Sequence, residues 1–357
     1  MHITAASTLP ELDALRDDWR RLHAQDANAT AFASWAWLRT WAEVSPYPWE
    51  VLVARDKTRD GEGPIVGLFP ISPRGSRAAH RIDQVREIHT MGDPSADFRG
   101  FICDAKREDA VIHAFAEHLA HADDWDRLVL KDVMDERLAA FITAMREGDS
   151  EIAIETQPGN VCPLLTLPET WDAYLAECLT PPSRKSLKKR LRIAEEHGCR
   201  LTTTSVDGEI ARHVDSLLLL CEHRGKDGPE HLHRARRLLD SCLAERAAEV
   251  AVVWIGDEPA AAQGSFIDHT HGSIGHYLTG FDERFGDLSP GRVLDALCIR
   301  SAIERGYKAV DFLRGDEPYK HQLGARPRQT QHAFFTRHGV MRNVRATLSG
   351  LRSRLGG

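Results

Sequence analysis

The sequence predicts an α/β (α+β) protein of two similarly built halves, each a mixed, mostly antiparallel sheet flanked by helices. Three observations carry this. A chain of 357 residues exceeds what one hydrophobic core usually supports. Its 42% hydrophobic and 28% charged residues are the proportions of an ordinary globular protein. The order helices, antiparallel meander, helix, strand, helix, strand is legible twice, which places one domain at residues 1–160 and the other at 161–357, meeting near Pro158–Glu169.

In the first half, Leu12, Leu15, Trp19 and Leu22 recur at helical steps and predict a helix over Leu9–His23, with a second over Ser34–Glu43. Trp49–Arg55 and Ile65–Ser72 read as strands joined by the turn Gly61-Glu62-Gly63-Pro64. Gly100–Cys103, Arg127–Leu130, Ile152–Thr156 and Leu164–Leu167 are further strand candidates, with helices at about Glu108–Ala122 and Asp135–Arg146.

The second half offers a helix from Trp171 through Glu196, a strand at Arg200–Thr204, and helices near Ile210–Glu222 and His231–Arg246. Val250–Ile255 and Ala260–Ile267 flank the turn Gly256-Asp257-Glu258-Pro259. A strand at Ser273–Thr279, a helix at Gly291–Arg305, a strand at Ala309–Leu313, a short helix near Glu317–Leu323 and a strand at Gln331–Thr336 complete the pattern.

A net charge of −7 argues against broad attraction to nucleic acid or anionic membrane. Seven cysteines without short ligand spacing indicate neither a disulfide framework nor a zinc site, and read as reduced intracellular thiols. Met1-His2-Ile3-Thr4 lacks the basic lead of a signal peptide, and no run has the apolar length of a membrane span. The protein is expected in the cytoplasm, with no metal. No Gly-x-Ser-x-Gly elbow is present; Gln263-Gly264-Ser265-Phe266-Ile267 only echoes one.

The segment richest in chemistry runs from Tyr277 to Ala325. The turn Leu288-Ser289-Pro290-Gly291-Arg292 opens directly into a helix, and several backbone N–H groups at the positive end of a helix dipole would suit a diphosphate. The same residues also spell a plain helix start, with Ser289 as the cap and Pro290 in the first helical position.

The run Asp311-Phe312-Leu313-Arg314-Gly315-Asp316-Glu317-Pro318-Tyr319-Lys320-His321-Gln322-Leu323-Gly324-Ala325 resembles the signature of the GNAT-superfamily acyltransferases that include CelD-type cellulose-biosynthesis proteins. That group is related to the Fem peptidyltransferases. The order strand, turn, helix, strand, helix is similar to the acyl-CoA-binding core of GNAT enzymes, so the resemblance implies a tandem GNAT-like fold. One departure stands out: the GNAT phosphate loop usually reads Gln/Arg-x-x-Gly-x-Gly/Ala, whereas Leu288–Leu294 keeps a single glycine. Nothing comparable lies between Cys103 and Glu108, so the first half is expected to hold no cofactor.

The resemblance implies an N-acyltransferase that moves an acyl group from acyl-CoA, acetyl-CoA foremost, to an amine of a small metabolite, sugar or amino acid by direct attack. Leu278 and Gly280, on the strand before the turn, and Ser289, Gly291, Arg292 and Val293 are then the cofactor contacts. Acyl transfer needs an amine proton removed, an oxyanion held and a thiolate protonated. Tyr319 would protonate the thiolate, Lys320 would hold the oxyanion or an acceptor carboxylate, and Asp316 or Glu317 would act as base. Tyr277 and Arg314 are the substrate contacts, while Asp311 between Val310 and Phe312 reads as structural. The competing readings make Tyr319 a packing aromatic, Lys320 a solvated charge and Arg314 half of an ion pair. One of His276 and Tyr277 should turn into the core.

Arg184-Lys185-Ser186-Leu187-Lys188-Lys189-Arg190-Leu191-Arg192 forms a basic helix face. It is a solvated surface, a neutraliser of cofactor phosphate, or the seat of an aminoacyl-tRNA donor as in Fem enzymes. The tail Asn343–Leu355 sets Val344, Leu348, Leu351 and Leu355 at helical spacing among arginines, and is expected to dock on the body of the protein. An accessory role in exopolysaccharide assembly is the non-catalytic alternative.

Overall fold

The computed structural model of the chain describes residues 1–58, 61–75, 85–134, 136–204, 209–225 and 228–337. The expected tail helix at Asn343–Leu355 lies outside them. The chain divides into two compact units, one of Met1–Asn160 together with the segment from Gln329 on, the other of Val161–Arg328.

In chain order the first unit contains β1 (His2–Ala6), α1 (Leu9–Ala14), α2 (Arg16–Gln25), α3 (Trp35–Val44), β2 (Glu50–Thr58), β3 (Gly61–Arg74), β4 (Glu87–Thr90) and β5 (Ile102–Cys103). It continues with α4 (Glu108–His121), β6 (Arg127–Val133), α5 (Arg137–Gly148) and β7 (Ile152–Val161). The second holds β8 (Leu164–Thr166), α6 (Trp171–Ala173), α7 (Pro181–Glu196), β9 (Cys199–Thr203), α8 (Ile210–Arg224) and α9 (Pro229–Ala244). After these come β10 (Ala248–Ile255), β11 (Glu258–Asp268), β12 (Ser273–Phe281), α10 (Pro290–Glu304), β13 (Ala309–Asp311) and α11 (Pro318–Gln322). The last strand, β14 (Gln329–Arg337), was expected in the second half. It instead pairs antiparallel with β6 in the first sheet, because Ala333 and Phe335 join the apolar core there.

The first sheet runs β1-β2-β3-β4-β6-β14-β7, with β5 on β3. The single helix expected over Leu9–His23 is broken at Leu15; α1 starts on a capping box in which the Thr8 hydroxyl accepts from Glu11 N–H and the Glu11 carboxylate accepts from Thr8 N–H. Leu12, Trp19 and Leu22 are fully buried, as their spacing demands. A buried ion pair sits beneath: Asp26, 0% exposed, accepts two Arg137 N–H groups at 2.5 and 2.9 Å and the Cys103 N–H at 2.8 Å.

The second sheet runs β8-β13-β12-β11-β10-β9. The helix expected from Trp171 to Glu196 is interrupted, since α6 passes into a wide π-turn at Tyr174–Cys178 and α7 restarts after Thr180. Pro181 and Pro182 supply no N–H to continue a helix and suit a first turn, which Thr180 caps. Gly264 and Gly280 let α8 and α9 lie close on one face of the sheet: a Cβ on Gly280 would stand 2.6–2.7 Å from Leu220 and the Cys221 backbone. On the opposite face Val293 and Leu294 of α10 pack against Ala251, Val253 and Ala261. Gly280→Ala is therefore expected to lower stability by roughly 1–3 kcal/mol, read as a lower denaturation midpoint. Gly286→Ala, where a Cβ meets nothing within 4 Å, should leave the midpoint in place.

Candidate active site

The parallel pairing of β12 with β13 covers only Ser273–Gly275 against Ala309–Asp311. Beyond it β12 continues to Phe281 while β13 ends, so the two strands part and an edge of β12 opens. A bulge widens the break: Gly264 faces Leu278 and Ser265 faces His276, which leaves Tyr277 as the extra residue. Asp311 fixes the far side. Its carboxylate accepts from Leu313 N–H at 2.9 Å and from Arg328 at 2.5 Å, and Leu313 turns through φ 54°.

Strand alternation decides which β12 groups the opening can use. Asp282 N–H donates to Ala260 in β11, so the backbone of Gly280 and Leu278 also faces β11, and these two expected cofactor contacts are spent on the ladder. The backbone of Thr279 faces the open side, where its carbonyl accepts from Arg224 at 2.7 Å. Of His276 and Tyr277, His276 turns inward; burial and the nearby Lys320 charge push its pKa down to about 3, and its Nδ1 has no partner. Tyr277 is half-buried against Phe266, with ring centres 4.8 Å apart.

The turn before α10 departs from the expected cradle. Ser289 adopts the left-handed conformation (φ 51°, ψ 58°) and makes no side-chain cap. Its carbonyl accepts from both Arg292 and Val293 N–H, and Pro290 has no N–H, so Gly291 is left as the open backbone donor of the first turn among the described residues. Two cationic side chains lie at this turn. Arg190 of α7 donates to the Ser289 hydroxyl at 2.6 Å, and Arg292 lies 5.1 Å above the Tyr319 ring while donating to Gln322 at 2.7 Å. The Arg292 Nη1 is buried without a partner, and burial, reinforced by the Arg190 charge, lowers its pKa. The corresponding helix of the first unit, α4, opens on Glu108 and Asp109, a first turn that repels anions.

The signature segment is tightly organised. Lys320 is 3% exposed, and its ammonium donates to the carbonyls of Arg314 (3.1 Å) and Gly315 (3.0 Å) and pairs with Glu317 at 3.0 Å. All three donors are spent, so Lys320 holds the loop instead of offering itself to an oxyanion. Burial would raise the Glu317 pKa, but the Lys320 contact outweighs it and holds the carboxyl low; Asp316 pairs with His321 at 2.6 Å. Both expected bases are exposed and engaged. Tyr319 is half-buried with its ring T-shaped to Phe312 at 6.2 Å, and burial, together with the charge of Asp295, raises its pKa. Arg314 is exposed. Because Lys320 satisfies two carbonyls at once, Lys320→Met is expected to cost about 1–3 kcal/mol, read by thermal denaturation.

Two residues that sequence reasoning passed over belong here. Arg190 was read only as part of a charge run. Asp295 is 5% exposed, and burial raises its pKa to about 7 against the opposing charges of Arg292 and Lys320. Its signal was a lone acid in the apolar run Val293-Leu294-Asp295-Ala296-Leu297.

Residues 182–321 match the family model described as an acetyltransferase (GNAT) domain. No curated protein matches the chain. Among solved structures the chain is similar to FemX, at 12% identity over 93% of this chain and 97% of that one, with a TM-score of 0.62. It is also similar to L-PGS from Bacillus licheniformis (12% identity, 91% of each chain, TM-score 0.54). A third likeness is to a tandem GNAT protein from the clavulanic acid biosynthesis pathway (14% identity, 94% and 98% covered, TM-score 0.50). At such identities the likeness is one of fold, the tandem GNAT arrangement of two mixed sheets flanked by helices. Residues 182–321 thus carry an acetyltransferase domain of GNAT type, and the chain is an acyltransferase.

Proposed function

We propose that the chain transfers an acyl group from acyl-CoA, acetyl-CoA foremost, to the amine of a small metabolite, sugar or amino acid by direct attack, without a covalent enzyme intermediate. The observation that supports this most is the convergence of Arg190 and Arg292 on the first turn of α10, where Arg292 Nη1 is buried without a partner. Two guanidinium groups brought together repel one another, and an anion relieves the repulsion. A diphosphate held by both forks and by Gly291 N–H would be held bidentately. The rest of the donor then enters the opening between β12 and β13, along the edge that Thr279 presents, and brings its thioester to Tyr319.

Tyr319 is the proton donor to the departing thiolate, and its raised pKa keeps it protonated for that task. Lys320 positions the 314–317 loop. Tyr277 and Arg314 are assigned to the acceptor side, Asp316 and Glu317 to the loop. The first unit holds no donor, and the protein acts in the cytoplasm, in polysaccharide biosynthesis if the CelD-like signature carries its usual meaning.

The exposed Lys185, Lys188, Lys189 and Arg192 of α7 favour a second reading, in which the donor is an aminoacyl-tRNA and the product an amide or peptide bond.

Calorimetry separates the two. A Cβ at Gly291 meets only Phe281, at 3.4 Å, so Gly291→Glu should fold, and it is expected to abolish acetyl-CoA binding by placing a carboxylate in the cradle. Arg190→Ala is expected to weaken binding about 10- to 100-fold, the worth of one charged hydrogen bond. Reversing the four exposed α7 charges should leave acetyl-CoA binding unchanged. Salt-sensitive tRNA binding that disappears on that reversal, without acetyl-CoA binding, would replace the first reading with the second; if neither ligand binds, the accessory role in exopolysaccharide assembly stands.

A further inference from the structure

Direct acyl transfer requires a group to take the proton that the amine gives up, and the exposed carboxylates of the signature segment are already held by His321 and Lys320. Asp295 is not held. It is 5% exposed and lies on α10 three residues after Arg292, on the same face of the helix. Among the described residues no hydrogen bond or ion pair reaches its carboxylate.

Its surroundings are those of the site. Arg292 and Cys298 on its own helix, Tyr174 in the turn after α6, and Tyr319 and Lys320 of α11 are within electrostatic reach of it. A run of contacts links this group to the strand opening, from Arg292 to Tyr319, from Tyr319 to Phe312, and from Phe312 to His276, whose ring is 5.2 Å away. His276 Nδ1 and Gln263 Oε1 also lack partners. Buried polar groups are almost always satisfied, so an unmatched carboxyl joined by this run of contacts to the unpartnered His276 Nδ1 marks a place where a ligand supplies the missing partners.

We propose that Asp295 is the general base of the acyl transfer, with Tyr319 as its acid. The assignment rests on the acyl-CoA reading above. The amine nitrogen forms the C–N bond at the thioester carbonyl, and its proton passes to the Asp295 carboxylate. The C–S bond breaks with its electron pair on sulfur, and the thiolate takes the Tyr319 hydroxyl proton. The phenolate recovers a proton from Asp295, so both groups are restored and the products are an amide and a thiol. Burial makes the Asp295 carboxylate basic enough near neutrality to accept a proton, where an exposed aspartate would not.

The test compares Asp295→Asn with the parent in two measurements. In acetyl-CoA turnover, followed as thiol release with mixed amino sugars and amino acids as acceptors, the variant should lose about 100-fold or more in kcat. The parent's loss of rate below about pH 7 should vanish with it, while calorimetric affinity for acetyl-CoA holds. In thermal denaturation, the folded state binds the Asp295 proton more tightly than the unfolded chain does. Its stabilising share is therefore complete below the ordinary aspartate range and lost as pH rises through about 7. Asp295→Asn should accordingly melt several degrees above the parent at pH 8.5 and close to it at pH 5. A variant that keeps the parent's rate and pH profile, or melts below the parent at pH 8.5, overturns the role of Asp295. A parent that neither binds nor turns over acetyl-CoA, with the thermal signature intact, overturns the donor reading and the base assignment built on it, leaving a buried carboxyl to be matched to another donor.

Discussion

The working part of the second unit depends on where β12 and β13 separate. Three residue pairs hold them together, and the sheet would close if the register continued. Two features stop it. The bulge at Tyr277 turns the β12 backbone out of step, and Asp311, tied to Arg328 and to the Leu313 amide, forces the chain off the sheet at once. Lys320 then clamps the 314–317 loop that follows. The opening is thus a consequence of satisfied hydrogen bonds around its rim, which is why it can persist without a ligand to hold it apart.

The same economy appears at the turn before α10. A glycine-rich loop binds a diphosphate through several backbone N–H groups, which need left-handed or crowded conformations that only glycine adopts easily. Here Ser289 takes the left-handed position, its carbonyl absorbs two of the amides, and guanidinium groups from α7 and α10 lie at the turn. Side-chain cations attract anions through net charge, where a backbone nest uses dipoles, so an anion bound at this turn should lose affinity with ionic strength more steeply than one in a glycine loop. The first unit shows the other outcome of an internal repeat. Its α4 begins with Glu108 and Asp109, and Glu108 meets Arg137 at 2.8 Å, so acidic residues occupy the place where the second unit gathers cations.

Much of this was legible in the sequence, and the boundary of legibility is physical. Strands such as Val250–Ile255 and the helix at Gly291–Arg305 announced themselves through apolar runs, turn residues and periodicity, all local signals, and they lie within a residue or two of β10 and α10. The signature segment Asp311–Ala325 begins where β13 ends, beside the strand opening. What failed were statements about partners. That β14 returns to the first sheet follows from a long-range pairing with β6, which no local pattern encodes. That Lys320 has no donor left for a substrate follows from two carbonyls brought beside it by a turn. Proline pairs were informative and underused, since Pro181-Pro182 marked the break before α7.

The buried charges of the chain fall into two kinds, and the difference separates architecture from chemistry. Asp26 is wholly buried, yet it receives two Arg137 contacts and a backbone amide, so its charge is compensated. Asp311 is compensated in the same way. Removing either would expose an unpaired partner. Asp295 and His276 are as deeply placed but unmatched, and both carry pKa values displaced toward the neutral form by burial. A fold held together only for stability would have replaced such groups with apolar ones of similar size, at a gain of a few kcal/mol. Their presence near the turn before α10 and the strand opening is therefore better accounted for by what enters that opening than by anything the folded chain needs for itself.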